Sequence, residues 1–346
     1  MQILFDSDTL SMQRYGGASR YPVELMMELK ALGVSIDLVS APRNNAYLEQ
    51  SGLFPGKASA LPAALRWSIS VVNSAFGRGD LIHRSYFGPF RPRGMKEVVT
   101  VYDCIAEHLG LPYLHSKVEH VLKRRALKRA DQIIAISEFT KNDVIHFFGV
   151  SPDRIRVIPL GSRFDIGEPL PRSSTLLMVG QRGGYKQGLE ALQALKGLEL
   201  LRDWDLRVVG GGDLSHEEKL AVEAAGFRSW KQETLQDAAL EQAYRESALL
   251  LYPSRLEGFG LPLLEAMRCG CPVLCSHAGS LPEVGGGAVA YADPRESDAY
   301  RAACSALLDS ETERQRLQEL GFQQAQRFSW RRCAEESLAL YQELLG

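Results

Sequence analysis

The stretch "EGFGLPLLEAM" (257–267) sets two glutamates, Glu257 and Glu265, on either side of two glycines and a proline. In one continuous helix, residues eight apart would lie roughly 80° apart around the axis, two turns separated. Gly258, Gly260 and Pro262 argue against that helix, because glycine and proline inside one both cost stability. A turn followed by a helix fits better. "ALLLYPS" (248–254) reads as a strand ending at Ser254, the next loop carries Glu257, and Pro262 suits the first helical position. The glycines let the backbone approach a ligand, so the amides of Phe259, Gly260 and Leu261 are expected to point at a phosphate. Glu257 would face that anion from the loop and Glu265 from the helix, each offering a carboxylate to sugar hydroxyls.

The same alternation of strand, loop and helix runs through the chain. "QILF" (2–5), "VSIDLVS" (34–40), "DLIHRS" (80–85), "EVVTVYD" (97–103), "QIIAIS" (132–137) and "IRVIPLG" (155–161) read as strands of the first half. Helical patterns such as "SRYPVELMMELKALG" and "SEFTKNDVIHFFG" lie between them, each closed by glycine. The stretch 162–174, rich in proline and serine and without periodicity, reads as a linker. After it "TLLMVG", "DLRVVGGG", "ALLLYPS" and "PVLCS" continue as strands, and "SHEEKLAVEAAG" opens with a capping box, Ser215 and Glu218. Two helical segments are predicted to close the chain, at 295–327 and 331–345. Such alternation implies α/β architecture with parallel sheets covered on both faces. Two Rossmann-like domains facing across a cleft are expected, with ligands beyond the carboxyl ends of the strands.

Composition narrows the function. The chain has 346 residues, 24% of them charged, and a net charge of -2, so no basic field recruits nucleic acid. Six cysteines, three of them in "CGCPVLC" (269–275), follow neither a disulfide nor a zinc pattern and read as small core residues. The start "MQILFDSDTL" lacks the basic and apolar regions of a signal peptide, and no run approaches the roughly 18 apolar residues of a membrane span. A cytoplasmic protein is expected.

Other strand ends carry candidate anion-binding groups. "YGGASRYPVEL" places Gly16 and Gly17 before a helix, and "LLMVGQRGGYKQG" ends a strand at Gly180 and then presents Arg182 and Lys186. A planar guanidinium fork and a lysine point charge suit a diphosphate. A plain turn is the competing reading of each stretch alone.

Taken together, the segment "PSRLEGFGLPLLEAMRCGCPVLCSHAGSLPEVGGGAVAYADP" resembles the donor-binding segment of glycosyltransferase family 4, retaining enzymes of the GT-B fold. The likeness runs nearly full length, through "YGGASRY", "GQRGGYK" and "FSWRRCAEESLALYQELL". It implies an N-terminal acceptor domain (1–165), a nucleotide-sugar domain (166–329) and a closing helix (330–346) returning toward the first domain. It assigns Glu257 to the transferred sugar and Glu265 to the ribose. Gly16 and Gly17 would approach the diphosphate, Arg182 and Lys186 would neutralise it, and Gly180, Ser254, Gly258, Phe259, Gly260 and Leu261 would complete the donor site. Where relatives usually read His-Asp, this chain has Tyr102-Asp103, beside the donor sugar. Tyrosine donates a hydrogen bond but cannot shuttle a proton at neutral pH. His83, at another strand end, reads as a satisfied structural histidine, with partial substitution for the family histidine as the alternative.

The expected activity is retaining transfer of a hexose to a glycan or lipid-linked acceptor, in cell-envelope or exported polysaccharide synthesis. GDP-mannose is the first donor considered, with UDP-hexoses as the alternative. The diphosphate would leave on the face that the acceptor attacks and take the acceptor's proton. No Asp-x-Asp is read at a strand end to hold a divalent ion, so neither metal nor cofactor is expected beyond the nucleotide-sugar co-substrate. The basic stretch "KRRALKRA" (123–130), on a segment starting near Lys117, reads as a solvated helix face, with a peripheral contact with the inner membrane surface through 117–130 or with an anionic lipid-linked acceptor as the alternative. Acceptor contacts are expected from first-domain loops, notably 41–66. Trp230 is expected to pack, with proximity to the nucleobase, beside Gln232, as the alternative. A non-catalytic sugar-nucleotide-binding subunit, an epimerase and a phosphorylase are the rivals. A dehydrogenase is disfavoured because no Gly-x-Gly-x-x-Gly follows the first strand.

Overall fold

The computed structural model describes residues 1–12, 14–39, 45–54, 78–88, 91, 94–167 and 171–346. The chain divides into two units, Met1–Gly161 with Ser329–Gly346, and Ser162–Phe328. Most of the 41–66 stretch lies outside the described residues, as do residues 168–170 of the expected linker. Ser162–Gly167 belongs to the second unit, where buried Phe164 packs against Tyr244.

The first unit carries β1 (Gln2–Phe5), β2 (Ser35–Leu38), β3 (Leu81–Arg84), β4 (Lys96–Val101), β5 (Gln132–Ala135) and β6 (Ile155–Val157). They form a parallel sheet in the order β2-β1-β3-β4-β5-β6. The second unit carries β7 (Ser173–Val179), β8 (Asp205–Val209), β9 (Ser229–Glu233), β10 (Ser247–Tyr252), β11 (Val273–Cys275) and β12 (Ala290–Tyr291). Its order is β12-β11-β10-β7-β8-β9, again parallel. Every residue of β10 is buried, as a central strand covered on both faces requires. Leu176, Met178, Leu206, Val208, Leu249 and Leu251 pack there with Leu192, Val222 and Tyr300 from the flanking helices.

Each sheet reverses its winding once. The first steps from β1 out to β2, then restarts at β3 on the other side of β1. The second steps from β7 through β8 to β9, then restarts at β10 on the other side of β7. At such a switch point the loops on the two adjacent strand ends part in opposite directions and leave a crevice. Candidate sites therefore sit above β1/β3 and above β7/β10.

The helices begin and end for local reasons. Glu138–Phe148 starts at Ser137, whose side chain accepts from the Thr140 amide, and stops at Gly149 in a left-handed conformation. His216–Ala225 opens with the predicted capping box. The helix expected over 295–327 is two helices, Ser297–Asp309 and Glu311–Ala325. The break comes at Ser310, which adopts an extended backbone and caps the second helix through the Glu313 amide. The last helix, Trp330–Leu345, packs in the first unit against Gly17–Ala31. Its Tyr341 hydroxyl meets Nδ1 of buried His83, while His83 Nε2 lies 2.7 Å from Thr100 Oγ1.

Candidate active site

Above β7/β10 the two strand-end loops meet. The loop after β7 runs through a short turn, Gly184–Lys186, and the loop after β10 carries Glu257. Lys186 Nζ donates to Glu257 Oε1 at 2.6 Å, and the Tyr252 hydroxyl, at the end of β10, donates to the same oxygen at 2.5 Å. Burial first, then the neighbouring Glu257 carboxylate, holds the Tyr252 phenol well above its usual range, so it stays a donor. Behind the carboxylate, the Ser280 amide and hydroxyl hold the Glu257 carbonyl at 3.2 and 3.0 Å. Ser254 is buried and its hydroxyl donates to the Leu256 carbonyl at 3.1 Å, shaping the same loop. The backbone from Arg255 is tied across the crevice, its amide 2.9 Å from the Tyr185 carbonyl.

Gly260 then turns the chain into the helix Leu261–Arg268 with φ 93. A Cβ there would lie 2.7 Å from Leu281 Cδ2, so both the conformation and the space demand glycine. Pro262 stands in the first turn. The helix begins beside Glu257, and the first amides of a helix have no partner within it. Phe259 is buried, edge-on to Phe328 at 5.7 Å. Glu265 is buried on the second turn and accepts from the Tyr244 hydroxyl at 3.1 Å. Gly258 lies between Glu257 and Phe259 in the same turn.

Arg182, expected with Lys186 at the diphosphate, is engaged by groups of its own unit. Its guanidinium is buried and donates to Glu218 Oε1 at 2.7 Å and to the carbonyls of Gly210, Gly212 and Asp213 at 2.8, 3.0 and 3.2 Å. Those bonds pin the glycine turn after β8. A Cβ on Gly211 would sit 2.4 Å from the Gly180 carbonyl and 2.6 Å from Arg182 Nη1. Gly180, with φ 92, closes the other side of that contact. Glu218 thus has two tasks: one oxygen holds Arg182 and the other caps its own helix through the Ser215 amide at 2.8 Å. Burial works to raise its pKa, but Arg182 and the Ser215 amide outweigh that and hold it below the usual carboxylate range.

In the first unit, Tyr102 and Asp103 follow β4. The Tyr102 ring lies edge-on to Tyr21 at 5.6 Å. Its hydroxyl is buried near Ser85 and Thr9 without a hydrogen-bond partner among the described residues. Burial, then Tyr21 and Asp6, holds that phenol well above its usual range. Asp103 Oδ1 accepts from the Ile105 amide at 3.1 Å. Gly16 has φ 155 and ψ 156, a conformation almost confined to glycine, and Gly17 starts the helix Gly17–Ala31. The Gly16 amide donates to the Tyr47 hydroxyl at 3.3 Å. His83 is neutral, its pKa lowered to about 3 by burial, and is structural as expected.

Two features correct the sequence-based expectations. Asp6-Ser7-Asp8 stands directly after β1, so an Asp-x-Asp does stand at a strand end, contrary to the expectation. Asp6 is buried and accepts from the Ser85 amide and hydroxyl at 3.0 and 2.5 Å and from the Tyr86 amide at 3.2 Å. Among the described residues no cluster of His, Cys, Asp or Glu is arranged to hold a metal ion. Trp230, expected to pack, is 39% exposed on β9, which ends the sheet. All six cysteines are buried and unpaired, as read.

The comparisons with known proteins follow this division. Residues 15–162 match the family model described as Glycosyltransferase Family 4, and residues 165–324 that described as Glycosyl transferases group 1. The chain is 30% identical over 291 residues to the O-antigen chain mannosyltransferase B of Escherichia coli, covering 75% of this chain and 74% of that one. The chain belongs to glycosyltransferase family 4. The transferase is also 27% identical over 234 residues to an MMP α-(1→4)-mannosyltransferase of Mycolicibacterium hassiacum, covering 65% of this chain and 57% of that one. Its fold is GT-B: Anabaena HepE, solved in complex with UDP-glucose, superposes with a TM-score of 0.78 at 17% identity, over 99% of this chain and 100% of that one. As a nucleotide-sugar glycosyltransferase, it places the Glu-x7-Glu segment at the switch point of its second sheet.

Sequence reasoning missed Tyr252, Tyr244, Glu218 as the partner of Arg182, and the turn at 210–212. The triple glycine after "DLRVV" was the one available signal. The tyrosines look like ordinary core residues until the fold brings them to a carboxylate.

Proposed function

We propose that the enzyme transfers mannose from GDP-mannose, with retention of configuration, to a glycan or lipid-linked acceptor in cell-envelope or exported polysaccharide synthesis. The observation that carries the donor site is the Lys186–Glu257 pair at 2.6 Å, above the β7/β10 crevice and beside the start of the helix Leu261–Arg268. A diphosphate there meets the Lys186 ammonium and helix amides, which stabilise the charge that grows as the glycosidic bond breaks. Glu257 accepts hydroxyls of the transferred sugar and Glu265 those of the ribose. Arg182 acts by fixing the glycine turn and by its charge nearby. No metal takes part. Front-face departure suits a site in which no carboxylate is assigned as a covalent nucleophile: the leaving diphosphate takes the acceptor proton.

The names of two relatives support mannose, since both are mannosyltransferases. UDP-hexoses are the alternative donors. Thermal-shift measurements with GDP, UDP and their sugars, followed by transfer assays, test the choice: stabilisation by GDP and GDP-mannose is expected, and stabilisation by UDP ligands alone would overturn it.

We further place the enzyme in the cytoplasm at the inner membrane face. In the helix Leu114–Arg129, Leu114, Val118 and Val121 are 79%, 53% and 47% exposed. At about 100° per residue they share one face with Arg125, within roughly 60°, and Lys117, Arg124 and Lys128 flank it. All four cations are exposed. An apolar stripe edged by cations suits an anionic bilayer surface. Co-sedimentation with phosphatidylglycerol vesicles that is weakened by salt and by Val118→Glu is expected; equal binding to neutral vesicles would contradict it. No helix among the described residues is long and apolar enough to cross a membrane.

A further inference from the structure

The second unit has a cavity of about 530 Å³ at the end of its sheet opposite the Glu-x7-Glu segment. It lies where β7, β10 and β11 begin: Arg172 precedes β7, while Ala248 and Pro272 stand at the starts of β10 and β11. The seven residues of β7 lead from it to the donor crevice, and strands rise about 3.3 Å per residue, so roughly 20 Å separates the two. Trp204 forms part of its wall, and the helix Glu311–Ala325 brings Arg314 and Gln318 to it.

Both guanidinium groups are held by carbonyls, with donors left over. Arg172 Nη1 donates to the carbonyls of Ser247, Tyr244 and Arg245 at 2.6, 3.0 and 3.0 Å, and its Nη2 to that of Cys269 at 3.0 Å. Arg314 Nη1 donates to the Leu307 and Leu308 carbonyls at 2.5 and 2.7 Å, with its guanidinium carbon 5.4 Å from the centre of the Trp204 ring. Among the described residues neither arginine has a carboxylate as hydrogen-bond or ion-pair partner. Burial lowers both pKa values, and Glu311 offsets part of that for Arg314. A cation drawn from water without a counter-charge is costly, and a planar fork with free N–H groups suits an oxyanion. Gln318 supplies a second, independent sign. It is only 9% exposed and lines the cavity, yet its carboxamide has no hydrogen bond among the described residues. A Cβ on Gly270 would lie 2.9 Å from Gln318 Nε2 and 3.0 Å from Arg172 Nη2, so these two donors converge on one point.

We propose that this cavity is a second ligand site, which binds a sugar phosphate through Arg172, Arg314 and Gln318. The phosphate meets the two guanidinium groups and the Gln318 amide. The volume exceeds what a bare phosphate fills, and exposed Glu311, which accepts from Gln315 Nε2 at 3.3 Å, repels a second anionic group and accepts sugar hydroxyls. This site is separate from the donor crevice and does not depend on what binds there.

Titration calorimetry of the full chain with mannose 6-phosphate, inorganic phosphate and methyl α-mannoside tests this without requiring turnover. Mannose 6-phosphate should bind most tightly, inorganic phosphate more weakly and the neutral glycoside not at all. Gln318→Glu puts a negative charge in the cavity while leaving the carbonyl bonds of both arginines in place. It should weaken mannose 6-phosphate about tenfold or more, and the uncharged Gln318→Leu should weaken it less. Lys186→Ala should leave this binding unchanged. Loss of binding in Lys186→Ala would place the ligand at the donor crevice and overturn the proposal. So would inorganic phosphate binding as tightly as mannose 6-phosphate, no binding of mannose 6-phosphate to wild type, or an unchanged Kd in the Gln318 variants. Melting curves of the two Gln318 variants keep a folding defect distinct from a lost contact, since either variant that melts like wild type suffices for the test.

Discussion

Lys186 and Glu257, 71 residues apart in sequence, share a hydrogen bond of 2.6 Å above the crevice of the second sheet. Tyr252 donates to the same oxygen, so one carboxylate gathers donors from the ends of two adjacent strands. A bound diphosphate would meet a lysine already held in place, and a sugar would meet a carboxylate already aimed. Preorganisation of this kind limits the rearrangement required when charge develops.

Lys186→Ala removes the ammonium from the proposed diphosphate site. Hydrogen bonds to charged groups are worth about 1.5–3 kcal/mol, so nucleoside diphosphate affinity should fall about ten- to a hundredfold. Titration calorimetry reads this directly. An unchanged Kd would place the diphosphate elsewhere.

Glu218→Ala should damage the molecule although Glu218 is given no ligand. Removing it leaves the buried Arg182 guanidinium without its carboxylate partner and uncaps the helix His216–Ala225. Breaking a buried ion pair by one partner costs about 3–5 kcal/mol. Urea unfolding should show a loss near that size, and the Arg182→Ala, Glu218→Ala double variant should lose less than the sum of the two. Strict additivity would mean that the pair is incidental.

The Ser215–Glu218 cap was legible because a capping box is a local pattern. That the other Glu218 oxygen holds Arg182 was not, since the two residues lie 36 positions apart and only the fold joins them. For the same reason "GQRGGYK" disclosed two cations at a strand end but not which way each would face. The parallel sheets were legible from apolar runs such as "ALLLY". The stop at Ser310 was hidden because "SETE" is both good helix sequence and a cap signature. Trp230 defied its expected packing because β9 is the edge strand of its sheet and its first three residues, Ser229, Trp230 and Lys231, are all exposed.

Two buried groups of the first unit titrate in opposite senses. His83 has its pKa lowered to about 3, so the folded state binds fewer protons than the unfolded chain, and stability is lost as pH falls from about 6.5 toward 3. Asp6 is raised from 3.8 to about 7, chiefly by burial and by Asp8, so its folded form holds a proton that the unfolded chain has released. Its contribution is lost as pH rises across that window. The melting temperature of Asp6→Asn, minus that of wild type, should therefore increase from pH 4 to pH 8. A flat difference would contradict a raised Asp6 pKa in the folded state.

Chelation addresses the diphosphate from another side. If Lys186 and helix amides hold it, EDTA should leave transfer nearly unchanged. Loss of most activity, restored by manganese or magnesium, would refute that arrangement.

The central claim is that Glu257 and Glu265 flank one bound donor with different duties. Glu265 on the helix serves the ribose, present in both nucleotide and nucleotide sugar, whereas Glu257 serves only the sugar in transfer. Isothermal titration of both alanine variants with the nucleoside diphosphate, read beside steady-state kinetics with the sugar donor, tests it. Glu265→Ala should weaken diphosphate binding roughly ten- to a hundredfold, while Glu257→Ala should keep diphosphate affinity near wild type and lose turnover steeply. Equal loss of diphosphate affinity in the two variants would contradict the account.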